Sequence, residues 1–536
     1  MIKRIFSVKK IIFSIIFGFI TGFIFAAGKV LDNTDSIDFK QIAMYEKWTI
    51  IMIVTSLFCF WAWELIDIIS HKIKRIDKNI PMWLAYVIMI VAWVPTWFSI
   101  FPGAFNYDAY DEWMMVANGN VTAHHPVIHV IVLGGLVELA NKIWGSYNAG
   151  IAIYTVIQMC LLSFIFSIAI KKLQKWNCGL VIQIIALLFY ALSPVIQLFS
   201  VAATKDTIFN GLELLFFLEC IDIFREKEAY FANNKALIRL GIIGFLTMIM
   251  RNNGVYIVLF ALIVIFISLF SKLTLIWKKA LFLCLMLLVP YILFIGPIYS
   301  IFGITGAKVQ EKLAVPMQQL ARVYNYEKET LSNDEKEKIL VYFSEESLDA
   351  YKSTVSDIVK MGFNNEAYDD DTIGFYKLWL ELGRKHPFIY VSSFLINTVD
   401  GWYPGAVVDG YRFGDGRSSY FDYKVAEPGN SAVILDGLNS KWNYISNDVS
   451  SQKGLLFILL LSPGTYLLFF VFTWLYHASR GNYCFVNAGL MQVIHYATVL
   501  VGPIALVRYE LNFFYIFPII IGCFLVNVNL KDEKEV

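Results

Sequence analysis

Long apolar runs separated by short charged breaks constrain this chain more than any other feature of its sequence. A helix that crosses a bilayer needs about 20 largely apolar residues. Runs that reach or approach that length occupy 11–29, 48–69, 81–101, 148–170, 178–199, 207–223, 237–250, 254–271, 280–302, 454–476, 483–502 and 510–529. The apolar text from 236 to 271 is too long for one span, so it divides at Arg251-Asn252-Asn253-Gly254. The expectation is an all-α polytopic membrane protein with about twelve transmembrane helices. Of the 536 residues, 58% are hydrophobic and 16% charged, too little charge for the surfaces of three or four soluble domains. A net charge of +1 gives no broad polybasic surface, so the lipid bilayer is an expected partner and nucleic acid is not.

The first run follows Lys3, Arg4, Lys9 and Lys10 and ends in Phe25-Ala26-Ala27-Gly28. It is longer than the apolar core of a signal peptide, which favours a retained anchor over a cleaved one. With a cytoplasmic N-terminus, the short loops rich in Lys and Arg fall inside: Lys72 to Arg75, Lys171-Lys172, Arg225 to Arg239, Lys272 and Arg480. The acidic loops around Asp32 to Asp38 and Asp108 to Glu112 fall outside, and the C-terminal tail returns inside. Three regions follow. Residues 1–302 hold the N-terminal spans, with a catalytic outer loop at 102–147. Residues 303–453 form an extracytoplasmic domain, and 454–536 carry the last spans and a short cytoplasmic tail. The middle region holds 22 acidic and 16 basic residues and none of the seven cysteines. It is therefore no disulfide scaffold, which suits a bacterial surface.

The chemistry-bearing residues gather at the outer ends of the spans. Asp108, Asp111 and Glu112 lie at i, i+3 and i+4, so a helix starting near Asn106 puts them on one face. They read as first-turn carboxylates favoured by the helix dipole, or as a general base within reach of a hydroxyl. His124, His125 and His129 flank Pro126, a residue suited to a helix start. They fit an anion at that helix mouth, with metal chelation by His125 and His129 as the weaker alternative. Lys205-Asp206, Arg251-Asn252 and Arg508-Tyr509 map to the same membrane face, and ionisable groups at membrane depth are functional candidates. Together they suit an anionic, lipid-anchored substrate. Asp369-Asp370-Asp371 is a solvated loop or a divalent-cation site; no other cofactor is indicated.

Tyr107-Asp108, His124-His125-Pro126, Thr204-Lys205-Asp206, Arg251-Asn252-Asn253-Gly254, Val315-Pro316-Met317-Gln318-Gln319 and Arg508-Tyr509 resemble the GT-C superfamily of membrane glycosyltransferases. They are most similar to an uncharacterised Gram-positive glycosyltransferase family, over roughly residues 80–530. The resemblance implies a GT-C-like fold in the cell membrane and a polyprenyl-phosphate-linked sugar as donor. The acceptor would be an envelope glycopolymer, lipid or protein. It implies Asp108 as the acid of the first catalytic loop and Asp206 as a second. Asp111, His124, His125, Lys205, Arg251, Asn252, Gln318, Gln319, Arg508 and Tyr509 would bind substrate. The competing classes are a flippase or transporter of lipid-linked saccharides and a polysaccharide polymerase or ligase.

Overall fold

A computed structural model describes residues 7–72, 76, 78–407, 421 and 424–525. Lys3, Arg4, Lys74, Arg75, most of the 401–423 loop and the tail after 529 lie outside the described residues. The described chain is helical throughout, and the only β pairing in it is isolated bridges.

The helices that frame the site are α1 (Val8–Asn33), α2 (Ile42–Lys72), α3 (Met82–Ser99), α4 (Tyr107–Ala117), α5 (Val127–Trp144), α6 (Tyr147–Lys175), α7 (Leu180–Leu192), α8 (Pro194–Ser200), α9 (Lys205–Glu226), α10 (Asn234–Met250) and α11 (Gly254–Ser268). After the insert come α12 (Leu455–Leu461), α13 (Pro463–Ser479), α14 (Tyr483–Leu500) and α15 (Leu511–Leu525). Among the described residues, eight helices are long and apolar enough to cross a membrane, or ten if the bent pairs α7–α8 and α12–α13 each count as one span. These are the proportions of a multi-pass membrane protein. The helix α2 exposes Ile50, Ile53, Val54, Leu57, Phe58 and Trp61 along its length, a continuous apolar face suited to lipid rather than water.

The count differs from the sequence expectation of twelve in two ways. Run 207–223 falls within α9, which carries Glu213, Glu219 and Asp222 and so is too charged for a simple apolar span; 237–250 and 254–271 give α10 and α11, of 17 and 15 residues. Conversely α5, expected inside a loop, is an apolar helix of 18 residues. It turns at Gly145, whose φ of +64° suits a residue without Cβ, and runs back against α6. Gly150 sits on it so closely that a Cβ would lie 2.5 Å from the Val137 Cα.

The axis of the bundle is α9. Eighteen of its 22 residues are buried, so its apolar residues face neighbours on every side. It packs against α6, α10, α14 and α15. Apart from the buried Glu213, its charged residues lie towards the two ends: Lys205 and Asp206 at the first, Glu219, Asp222, Arg225 and Glu226 near the second. At 1.5 Å per residue, Lys205 and Asp222 are separated by about 26 Å, close to the thickness of a hydrocarbon layer.

Residues of 303–453 divide between two cores. Leu313, Met317, Leu320, Val359, Phe375 and Leu378 belong to a core confined to 313–390. Ile396, Val399, Trp402, Phe421 and Trp442 instead join the core of the main bundle.

Candidate functional site

Two helix starts meet at one end of the bundle. The Asn106 side chain caps α4 by accepting from the Ala109 N–H, and the Thr204 hydroxyl caps α9 by accepting from the Asp206 N–H. Asp108 and Asp206 therefore both stand in the first turn of a helix, where the dipole favours a carboxylate. Backbone pairing fixes the two starts to each other. The Ala203 N–H donates to the Ala104 carbonyl at 2.8 Å, and the Ala104 N–H to the Val201 carbonyl at 3.0 Å. On the other side, Phe105 N–H donates to the Lys424 carbonyl at 2.9 Å.

Charged side chains from four separate segments converge on this frame. Asp108 Oδ2 lies 3.0 Å from Lys205 Nζ and 3.0 Å from Arg508 Nη1. Asp206 Oδ1 lies 2.9 Å from Arg251 Nη1, and its Oδ2 lies 3.5 Å from Arg508 Nε. Lys205 also reaches Glu112 Oε1 at 3.5 Å and His125 Nδ1 at 3.1 Å. Tyr509 is the aromatic floor for both guanidinium groups, Arg251 at 4.5 Å and Arg508 at 5.1 Å from its ring centre. Three cations thus face three carboxylates. The Asp108, Lys205, Arg251 and Arg508 side chains are 9–15% exposed, whereas those of Asp206 and Glu112 are 0% and 1% exposed. One carboxylate therefore reaches the open side of the cluster, and two stand behind it.

These contacts set the protonation states. Burial alone would raise the Asp108 carboxyl, but Arg508 and Lys205 outweigh it and hold it well below the usual carboxylate range. Glu112 is likewise lowered against its burial, chiefly by His129. Burial and then Lys205 push His125 down to about 4, so its ring is neutral near pH 7. Lys205 is a donor only, so Nδ1 of His125 accepts and the ring proton sits on Nε2. That Nε2 is buried and has no hydrogen-bond partner.

Behind the cluster runs a polar chain that sequence reasoning did not place in the site. Glu112 bonds His129 Nδ1, His129 Nε2 bonds the Tyr154 hydroxyl at 2.6 Å, and that hydroxyl donates to Gln158 Oε1 at 3.2 Å. Gln158 Nε2 then donates to the carbonyls of Ser200 and Ala202, at 3.0 and 2.7 Å, just before α9. The i, i+4 spacing of Asp108 and Glu112 hinted at the first link; the rest joins α4, α5, α6 and the loop before α9. Both His129 ring nitrogens are engaged, which removes the chelating pair with His125. Among the described residues no group of three or more His, Cys, Asp or Glu could hold a metal ion. Asp108 and Asp206 are committed to Lys and Arg, and Asp371 caps a helix by accepting from Gly374 N–H at 2.8 Å. Among the described residues, these carboxylates do not fit a divalent cation.

Other predicted site residues fall at the rim or away from it. Asp111 is exposed one step round α4 from its buried neighbours, because only i and i+4 face inward. His124 is half exposed, 3.8 Å from Glu311. The Asn252 side chain donates to the Ala123 carbonyl at 3.5 Å. Gln318 and Gln319 bond inside the insert rather than to the cluster. Gln318 Nε2 donates to the Lys352 carbonyl at 2.7 Å, and Gln319 holds the Tyr390 carbonyl and Trp379 Nε1. Their helix, Ala314–Tyr326, is buried in the insert core, which uses both amides to satisfy polar groups there.

Residues 4–404 match the model of a family of unknown function, DUF6020. The chain belongs to that family. The matched stretch contains Asp108, His125, Lys205, Asp206 and Arg251, while Arg508 lies beyond it. No curated protein and no solved structure matches the chain.

Proposed function

We propose that this protein is a GT-C-like glycosyltransferase of the cell membrane. It moves a sugar from a polyprenyl-phosphate donor to an envelope acceptor on the outer face, with inversion. The observation that carries this is the cluster itself: one accessible carboxylate held by two cations, with a third cation on the buried carboxylate behind it, at the end of a bundle about one bilayer thick. Asp108 takes the proton of an acceptor hydroxyl, and the hydroxyl oxygen forms its bond to the anomeric carbon. The bond from that carbon to the phosphate oxygen breaks, and its electron pair stays on the phosphate. Lys205, Arg251 and Arg508 stabilise the charge that develops there, each well-placed donor contributing about 3–4 kcal/mol. Asp206, fully buried between two arginines, acts as a positioning residue.

An apolar cavity of about 410 Å³ suits an isoprenoid tail. It lies between α1, α13, α14 and the helix Pro387–Trp402, with Phe23, Trp402, Phe470, Trp474, Tyr496 and Phe513 in its wall. In this reading α5 does not span. It pairs with the first turns of α6, a helix of 29 residues and about 44 Å that overruns a bilayer core, so the hairpin stands outside the membrane. The positive-inside alternation from an inside N-terminus is then preserved.

The test is turnover of a panel of radiolabelled polyprenyl-phosphate sugars by purified protein in nanodiscs, with bacterial envelope membranes as acceptor. Wild type should consume one donor and release polyprenyl phosphate, and Asp108→Asn should not. One observation favours a second reading, transport of lipid-linked saccharides. Glu213 and His495 are fully buried and 2.6 Å apart inside the bundle, and ionisable pairs at membrane depth can mark ion pathways. Movement of labelled lipid across vesicles without donor consumption would select it.

A further inference from the structure

We propose that in the resting protein the Asp108 carboxylate occupies the place of the donor's phosphate, and that arrival of the phosphate displaces it and frees it to act as the base. This rests on the glycosyl-transfer reading above and adds to it an order of events. The phosphate must bind before the acceptor hydroxyl can lose its proton.

Two features point this way. First, a single oxygen, Asp108 Oδ2, is held by two cations from different segments, Lys205 Nζ and Arg508 Nη1, both at 3.0 Å. Two cations would grip one phosphate oxygen in the same manner. Secondly, those cations have further partners behind them, so they stay in place when Asp108 leaves. Glu112 lies 3.5 Å from Lys205, and Asp206 lies 3.5 Å from Arg508. A tetrahedral phosphate presents several oxygens, enough to receive both cations together.

The exchange also resolves a chemical conflict. A carboxylate bound to two cations is a poor proton acceptor. The groups that face Asp108 are Lys205 and Asp206 from α9, Arg508 from the turn before α15, Glu112 and Asp111 from α4, and His124 and His125 from the loop before α5. Once the phosphate engages Lys205 and Arg508, the remaining neighbours of Asp108 are mostly acidic or neutral, and its affinity for a proton rises. The acceptor's proton then goes to Asp108 as the new carbon–oxygen bond forms. The leaving phosphate, now with one more negative charge, is held more tightly by the same cations.

The experiment measures the affinity of farnesyl phosphate for purified full-length protein in nanodiscs, by titration calorimetry at pH 7. Asp108→Asn and Asp108→Ser should each bind it about tenfold or more tighter than wild type, because the competing carboxylate is gone. Arg508→Gln should bind about tenfold weaker, and Asp222→Asn, at the far end of α9, should bind as wild type. Equal or weaker binding by both Asp108 variants overturns the proposal, as does no binding by any form. The two readings fail separately. Tighter binding by the Asp108 variants without donor consumption by wild type would keep the displacement and remove glycosyl transfer. Turnover by wild type without tighter binding by the variants would do the reverse.

Discussion

The two ends of α9 carry charged networks of similar composition and opposite character. At the far end, Lys172 donates to Glu219 and Asp222 at 2.8 and 2.5 Å, and Arg239 forks onto Glu219 at 3.0 and 2.6 Å. Tyr230 and Trp176 complete the same carboxylates at 2.7 and 2.8 Å. These groups all find hydrogen-bond partners; outside the network, the neighbouring Arg225 lies over the Trp176 ring and leaves its buried Nη1 without one. At the near end, Arg251 Nη1 and Asp206 Oδ1 are close but misaligned, and both are without a hydrogen bond, as is His125 Nε2. A network built for stability is closed on itself. One that leaves buried donors and acceptors open is arranged for something that arrives.

Substitutions should separate the two ends. The largest effect is expected at the closed network: Glu219→Gln breaks a buried, multiply bonded ion cluster and should cost about 3–5 kcal/mol. Thermal unfolding in nanodiscs would read this as a large fall in midpoint, and an unchanged midpoint would remove the structural assignment. At the open end the cost should fall on rate. Arg251→Gln should lower the kcat of the folded fraction by about 10²–10³, whereas Arg239→Gln should lower the midpoint and leave kcat within about twofold.

Acid should probe the open end through His125. Its folded-state pKa is pushed down to about 4 from an ordinary value near 6.5, so the unfolded chain takes up a proton that the folded chain refuses. Stability should fall as pH drops from about 6.5 to 4, by about 3 kcal/mol in all. A series of unfolding midpoints across that window should flatten in His125→Gln; an identical slope in the variant would contradict the assignment. The smallest effect is expected at Gln319→Ala. It should cost about 1–2 kcal/mol of insert stability through lost buried hydrogen bonds and leave the KM for donor within twofold.

Much of this arrangement was legible before the structure, and the reason is local. Ionisable residues beside apolar runs mark helix ends, which is why Asp108, Lys205, Asp206, Arg251 and Arg508 could be assigned to one end of the bundle and do converge there. Pro126 marked the start of α5, but nothing in the sequence showed that the helix would run on as an apolar hairpin against α6. The chain Glu112–His129–Tyr154–Gln158 was hidden because its links cross three helices and no spacing rule connects them. Gln318 and Gln319 misled for the opposite reason. A polar pair next to a proline looks ready for a ligand, yet a small core packed from 313–390 needs those amides for its own backbone carbonyls.

Under the proposed function, one helix carries a reactive end and a structural end. The most direct measurement takes Asp108→Asn and Asp222→Asn in matched nanodisc preparations and records, on the same samples, release of polyprenyl phosphate and the unfolding midpoint. Asp108→Asn should abolish release with its midpoint near wild type, and Asp222→Asn should lose midpoint while the folded fraction keeps its turnover. Loss of turnover by the folded Asp222→Asn protein, or full turnover by Asp108→Asn, would contradict that division.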